Sequence, residues 1–319
     1  MSVSVTVPLG QAITRAKQIT FGPFNLGKWF VLGFSAWLAT LGEGGGFNFN
    51  FSHRIGGQVS DSVTGDGTDS VQPVWQWITT HLPLIIILGV VIAIAMIAVG
   101  LLITWLRSRA MFIFLDNLAE NQAAIVAPWK QFKPLGNSLF LFYLILGIIA
   151  LACYAAMLGL ILIVALPDIR AEHFGGGAIA AIVLGLLLLP LGLAFALIAW
   201  CTNNFVVPLM YLRRQKILPA WREFRTVLLP GNVGAFVLFL LLQFVLRIAI
   251  WIISVLLGCI TCCIGFLPYL STVLTLPLHV FDRGYSVYFL EQFGQEYRIF
   301  RAIADPTGPT PSGPAPLSE

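Results

Sequence analysis

Charge is what this sequence lacks most. Asp, Glu, Lys and Arg make up 10% of its 319 residues, whereas 58% are hydrophobic and the mean hydropathy is +0.89. A soluble domain carries about 25% charged residues, and one core in a chain this long cannot hide so much apolar surface. A removable signal peptide is also missing. The first twenty residues are amphipathic, without a continuous apolar stretch or a small-residue cleavage site. Insertion is therefore expected to use internal spans. There is no Walker loop, His-Glu-x-x-His, Gly-x-Ser-x-Gly or dinucleotide fingerprint. Polar residues are scattered through the apolar runs rather than gathered as an intramembrane protease or lipid-transfer enzyme requires. No catalytic residue, metal site or cofactor is expected, and no nucleic-acid partner.

What the sequence does have is long apolar runs. A helix needs about 20 apolar residues to cross the hydrocarbon core. Six spans are expected: Trp29–Leu41, Leu84–Leu106, Leu139–Leu166, Ala178 to about Trp200 with a continuation toward Met210, Val233–Leu257, and Phe266–Val280. The first is short. The sixth contains Pro268 and Pro277, which membrane helices tolerate when neighbours satisfy the freed carbonyls. The predicted fold is an all-α integral membrane protein, with one polytopic domain over residues 1–304. Its Gly- and Asp-rich outer loop covers 42–82, and a disordered Pro-rich tail covers 305–319.

Basic residues set the expected orientation. With six spans, 15 of the 18 Lys and Arg fall on one side, Arg54 and Arg170 on the other, and Arg247 inside the fifth span. Both termini are then cytoplasmic, in the bacterial inner (plasma) membrane. An odd number of spans would scramble this asymmetry.

Each odd-numbered span follows an amphipathic stretch. In the first, Leu9, Ala12, Ile13, Ala16 and Ile19 share one helical face, opposite Gln11, Arg15, Lys17 and Gln18. The second and third stretches resemble each other. Ala127-Pro-Trp129-Lys-Gln-Phe132 and Pro219-Ala-Trp221-Arg-Glu-Phe224 share a Trp-x-x-Phe core, and each leads to a Gly-Asn pair, Gly136-Asn137 and Gly231-Asn232. Two readings stand. One is three repeats of surface helix plus helical hairpin. The other is that any loop beside lipid becomes amphipathic and aromatic.

In the outer loop, Phe47–Phe51 alternates as a short strand does. Asp61, Asp66 and Asp69 follow without the spacing of a recognised calcium loop. Cys153 and Cys201 behave as small apolar groups. Cys259, Cys262 and Cys263 crowd the turn between spans five and six, either as free thiols or as a disulfide.

Arg247 is the sharpest candidate, because a charge in mid-span is costly and by default functional. Gln243 lies one turn before it and Ser254 two turns after, which makes a polar stripe for a ligand or an anionic lipid. The structural alternative is an arginine that snorkels or pairs with Gln243, a carbonyl or an acidic outer-loop residue. A second group sits at the expected cytoplasmic edge: Arg107, Arg109, Asp116, Asn117, Asn203, Asn204, His279, Asp282 and Arg283. It either lines a polar cavity or ties helix ends together. His279 and Asp282, three apart, could also handle a proton.

Four stretches carry a family resemblance: Phe21–Trp29, Arg107–Asn117, Val206–Tyr211 and Leu276–Tyr285. They resemble a family of uncharacterised prokaryotic six-span membrane proteins. That family is distantly similar to the membrane domain fused to some glycerophosphodiester phosphodiesterases. The resemblance implies an all-helical membrane domain and no established activity. The soluble phosphodiesterase barrel is absent, so its chemistry does not carry over.

Two functions are weighed. The leading one is a non-enzymatic scaffold or accessory protein that binds membrane lipids, with a protein partner or a second copy of itself. The alternative is a small-molecule or lipid transporter with its polar site around Arg247. A wet cavity reaching Arg247 favours transport, and a dry interior favours the scaffold.

Overall fold

The computed structural model describes residues 4–22, 24–41, 71–171, 175–261 and 267–300. The expectations for the outer loop up to residue 70, for Cys262 and Cys263, and for the tail lie outside these residues. Among the described residues the protein is all helical.

The helices are α1 (Val7–Phe21), α2 (Leu26–Thr40), α3 (Val71–Ala119), α4 (Val126–Gln131), α5 (Lys133–Arg170), α6 (Gly176–Cys201), α7 (Val207–Arg213), α8 (Ile217–Glu223), α9 (Val233–Ile260), α10 (Pro268–Leu274) and α11 (Leu276–Glu291). One turn of π-helix, Thr202–Val206, joins α6 to α7, and another, Phe224–Leu228, follows α8. Pro208 explains the first. It has no N–H, and its ring would clash with the carbonyl four residues back, so the backbone widens there.

Four described helices are long and apolar enough to cross a membrane: Thr80–Ala119, Lys133–Arg170, Gly176–Arg213 and Val233–Ile260. They correspond to expected spans two to five and run further than expected. Arg107, Arg109, Asp116 and Asn117 lie inside α3 rather than in a loop after Leu106. No Gly or Pro interrupts that stretch, so the helix continues to Ala119, and Asn121 takes the left-handed backbone (φ 53°) just beyond its end. The first and sixth regions are shorter pieces. Helix α2 has 15 residues, or about 22 Å at 1.5 Å per residue. The sixth breaks at Thr275, because Pro277 opens a new helix.

The buried core is not in the middle of the long helices. In the most apolar windows of three of them, no residue is buried inside the protein. Their Leu, Ile and Val side chains point outward, as lipid-facing surfaces do. The core gathers at one end, where the second half of α3, the start of α5, α7, the start of α9, α11 and α1 converge. There Phe205, Phe236, Phe239 and Phe289 interlock with ring centroids 4.5–5.9 Å apart. Phe239 also stacks on Tyr285 at 4.6 Å.

Two glycines allow helices to meet there. A Cβ on Gly136 of α5 would lie 3.1 Å from the Arg109 Cα of α3. A Cβ on Gly33 of α2 would lie 2.6 Å from Val273 of α10. Helix α1 differs from the expected division of its faces. It packs on α11 and buries Ala12, Ala16 and Ile19 together with Arg15, while Ile13 is exposed. Arg15 turns inward because it has carbonyls to satisfy there. Its guanidinium donates to Leu118 O (2.8 Å) and Ala119 O (3.1 Å) at the C-terminal end of α3.

Candidate functional site

The core end holds a continuous polar network. Gln243 of α9 is completely buried. Its Oε1 accepts from the Trp200 indole N–H at 2.9 Å. Its Nε2 donates to Asn204 Oδ1 at 2.9 Å and to Asp282 Oδ1 at 3.1 Å. The partners fix the amide's orientation, since an indole only donates and a carboxylate only accepts. Arg247, one turn along α9, pairs with the other carboxylate oxygen of Asp282 at 3.3 Å. The π-turn carries Asn203 and Asn204 on successive positions, so the two side chains serve different neighbours. Asn204 bonds back to Trp200 O at 2.9 Å. Asn203 accepts from the Tyr143 hydroxyl of α5 through its side chain and from Arg283 through its carbonyl. Arg107 sits 5.9 Å from the Tyr143 ring centre and donates to Ala39 O at 3.3 Å.

The two sequence-derived groups therefore meet at Asp282. Arg247 pairs with this aspartate, 35 residues on in the chain. Ser254 stands apart. Its hydroxyl bonds back to Ile250 O at 2.8 Å within α9. His279 does not face Asp282 either. Its Nδ1 lies 3.1 Å from Thr275 O, four residues back in the chain.

The other candidates hold separate joints. Arg109 donates to Asn137 Oδ1 at 2.8 and 3.3 Å and lies over Trp105 (4.2 Å) and Trp129 (5.1 Å). Asp116 accepts from the Tyr211 hydroxyl at 2.8 Å, and Asn117 Oδ1 accepts from Ala124 N at 2.9 Å. Both shape the turn after α3. Trp200, Tyr143, Asn137 and Tyr211 complete these joints and were not singled out from the sequence. The Trp200–Asn204 spacing of one helical turn was the one local signal for them.

The contacts of Gln243 with Trp200, Asn204 and Asp282 each match a donor to an acceptor, and the Asp282 charge is offset by Arg247. Chemically this is a tie between α6, the π-turn, α9 and α11, buried at Gln243 and exposed at Arg247. Among the described residues no group of three or more His, Cys, Asp or Glu could hold a metal ion.

Four helices long and apolar enough to cross a membrane mark the chain as an all-helical, multi-pass membrane protein. The chain belongs to the family of unknown function DUF7544, whose model matches residues 4–276. No curated protein and no solved structure matches it.

Proposed function

We propose that this protein is a non-enzymatic, six-span scaffold or accessory protein of the bacterial inner membrane, with both termini cytoplasmic and membrane lipids as its standing partners. In this reading α2 is the first span, and α10 with the start of α11 is the sixth. The single observation that carries the scaffold function is the matched network around Gln243. A transport site needs groups that a substrate can satisfy in turn, whereas here one buried amide and one carboxylate are already shared among Trp200, Asn204 and Arg247.

The three-repeat arrangement is part of the same reading, and two relations support it. The Phe of each Trp-x-x-Phe core stacks face to face on a Phe of the preceding helical stretch, Phe132 on Phe112 (6.0 Å, 14°) and Phe224 on Phe205 (5.6 Å, 10°). Each short helix also packs on the preceding span, α4 on α3 and α8 on α7, and α1 closes the circle on α11.

Native mass spectrometry of the full chain released from lipid nanodiscs, beside Arg247→Gln, tests the function. The scaffold reading expects the same mass, lipid content and protein partner for both. A stoichiometric metabolite held by the wild type and lost in the variant would move transport into first place.

A further inference from the structure

Two adjacent arginines end α7 and are treated differently by the fold. Arg213 is neutralised by Glu223 at 3.2 Å and Glu296 at 2.8 Å. Arg214 takes the left-handed backbone (φ 52°), which turns it the other way. Its guanidinium lies over Phe132 at 4.4 Å and Tyr211 at 5.1 Å, and it makes no ion pair with a described residue. Stacking holds the flat face of a guanidinium and leaves its N–H edge for another partner.

That edge borders a cavity of about 470 Å³ lined by Glu120, Tyr211, Arg214, Arg298 and Phe300, among others. The volume is in the range of small-ligand sites, about 300–1,000 Å³. Its far wall is fixed rather than loose. The Glu291 carboxylate accepts from the Ile299 and Phe300 amides at 3.1 and 3.0 Å, and Phe300 is clamped between Arg15 (4.7 Å) and Tyr288 (5.0 Å). Arg298 adds a second exposed guanidinium on that wall, again with no side-chain bond to a described residue. The acids nearby are mostly engaged: Asp116 with Tyr211, and Glu291 with the backbone. Glu120 is the one carboxylate among the described lining residues, and it too is engaged.

We infer that this cavity binds a phosphate-bearing anion, gripped by Arg214 and Arg298, which both line it. Guanidinium edges match phosphate oxygens two at a time, which distinguishes phosphate from a halide. A lipid headgroup at the membrane surface and a soluble phosphate compound share this chemistry. The inference deepens the lipid-binding part of the proposed function and is independent of the network at Gln243.

The test uses the full chain in phosphatidylcholine nanodiscs, as wild type, as the Arg214→Gln/Arg298→Gln double variant, as Arg298→Gln alone, and as Arg222→Gln, an exposed basic control outside the cavity. One arm titrates inorganic phosphate by calorimetry. The other dopes the discs with phosphatidic acid and counts retained lipid by native mass spectrometry. At least one probe should bind the wild type and the control alike. Loss of charge-assisted bonds should then weaken it at least about tenfold in the double variant and measurably in Arg298→Gln, whose exposed side chain can be exchanged without refolding the wall. Retention of phosphatidic acid alone marks a headgroup site, and response to inorganic phosphate marks a soluble ligand. Equal binding by wild type and double variant, equal loss in the Arg222→Gln control, or no binding of either probe overturns the inference. Each of these outcomes leaves the scaffold reading standing, because that reading is tested at Arg247.

Discussion

Gln243 and Asp282 share a hydrogen bond of 3.1 Å between two helices 39 residues apart in the chain, and the second oxygen of Asp282 faces Arg247 at 3.3 Å. One carboxylate thus receives two donors that stand one turn apart on α9. Gln243→Leu should remove three hydrogen bonds and leave the Trp200 N–H and Asn204 Oδ1 without that partner in a buried setting. Each orphaned group costs about 1–3 kcal/mol. Chemical unfolding in detergent should show a loss of that order or more, and an unchanged midpoint would mean that the network contributes nothing to stability.

Gly136 lies where α5 meets α3. An added Cβ would sit 2.7 Å from the Arg109 Cγ and 3.1 Å from its Cα. The Cγ can swing away, but the Cα cannot. Gly136→Ala should cost about 1–3 kcal/mol, as overpacking does, and Gly136→Leu more. The yield of monodisperse protein in gentle detergent checks this ordering. Gly89, whose Cβ would meet nothing within 4 Å, is the control and should tolerate Ala.

Arg15 reaches across from α1 to the last carbonyls of α3. Its replacement by Met keeps the packing stem and removes the cation from the helix C-terminus. The expected loss is about 1.5–3 kcal/mol, as for hydrogen bonds to a charged group. Lys should recover part of it. Thermal melts of the three proteins in one detergent give the ranking, and a Met variant as stable as the wild type would contradict it.

Burial pushes the Glu291 carboxyl above its ordinary value, against the opposing pull of the Phe300 and Ile299 amides and of Arg298 and Arg15. A raised acid pKa means that the folded state holds the proton more tightly. This contribution to stability is fully present below the unfolded pKa, about 4.3, and is lost as pH rises through the folded value. Glu291→Gln keeps an acceptor for the two amides and cannot ionise. Its stability profile should be flatter than the wild type's from about pH 4.3 upward. Identical slopes for the two proteins would show that Glu291 does not titrate differently on folding.

The long apolar runs made the four long helices legible, and the position of Arg247 marked it as costly. Four other features were not legible. The C-terminal end of α3 lies beyond the apolar run that ends at Leu106, because Arg107–Asn117 carries charges yet has no helix breaker and packs in the core. Arg15 looked solvent-facing on a helical wheel. Its destination is a pair of carbonyls about one hundred residues further along the chain, and periodicity carries no such information. Ser254 shares the spacing of Gln243 and Arg247, but a serine in a helix can satisfy itself on the carbonyl four residues back, and it does so. The meeting of Gln243 with Asp282 depends on how α9 and α11 pack, which no local pattern encodes.

The hydrogen-bonded network around Gln243 is the centre of the scaffold reading, and water access to its buried part is the most direct test. Asn204 is 4% exposed and accepts from Gln243. In a chain whose five native cysteines are replaced, Asn204→Cys in sealed vesicles would be exposed to a small hydrophilic thiol reagent from each side in turn. The scaffold reading predicts no labelling from either side until the membrane protein is denatured. Labelling of the folded protein from either side would reveal a water-filled path to the network and contradict it.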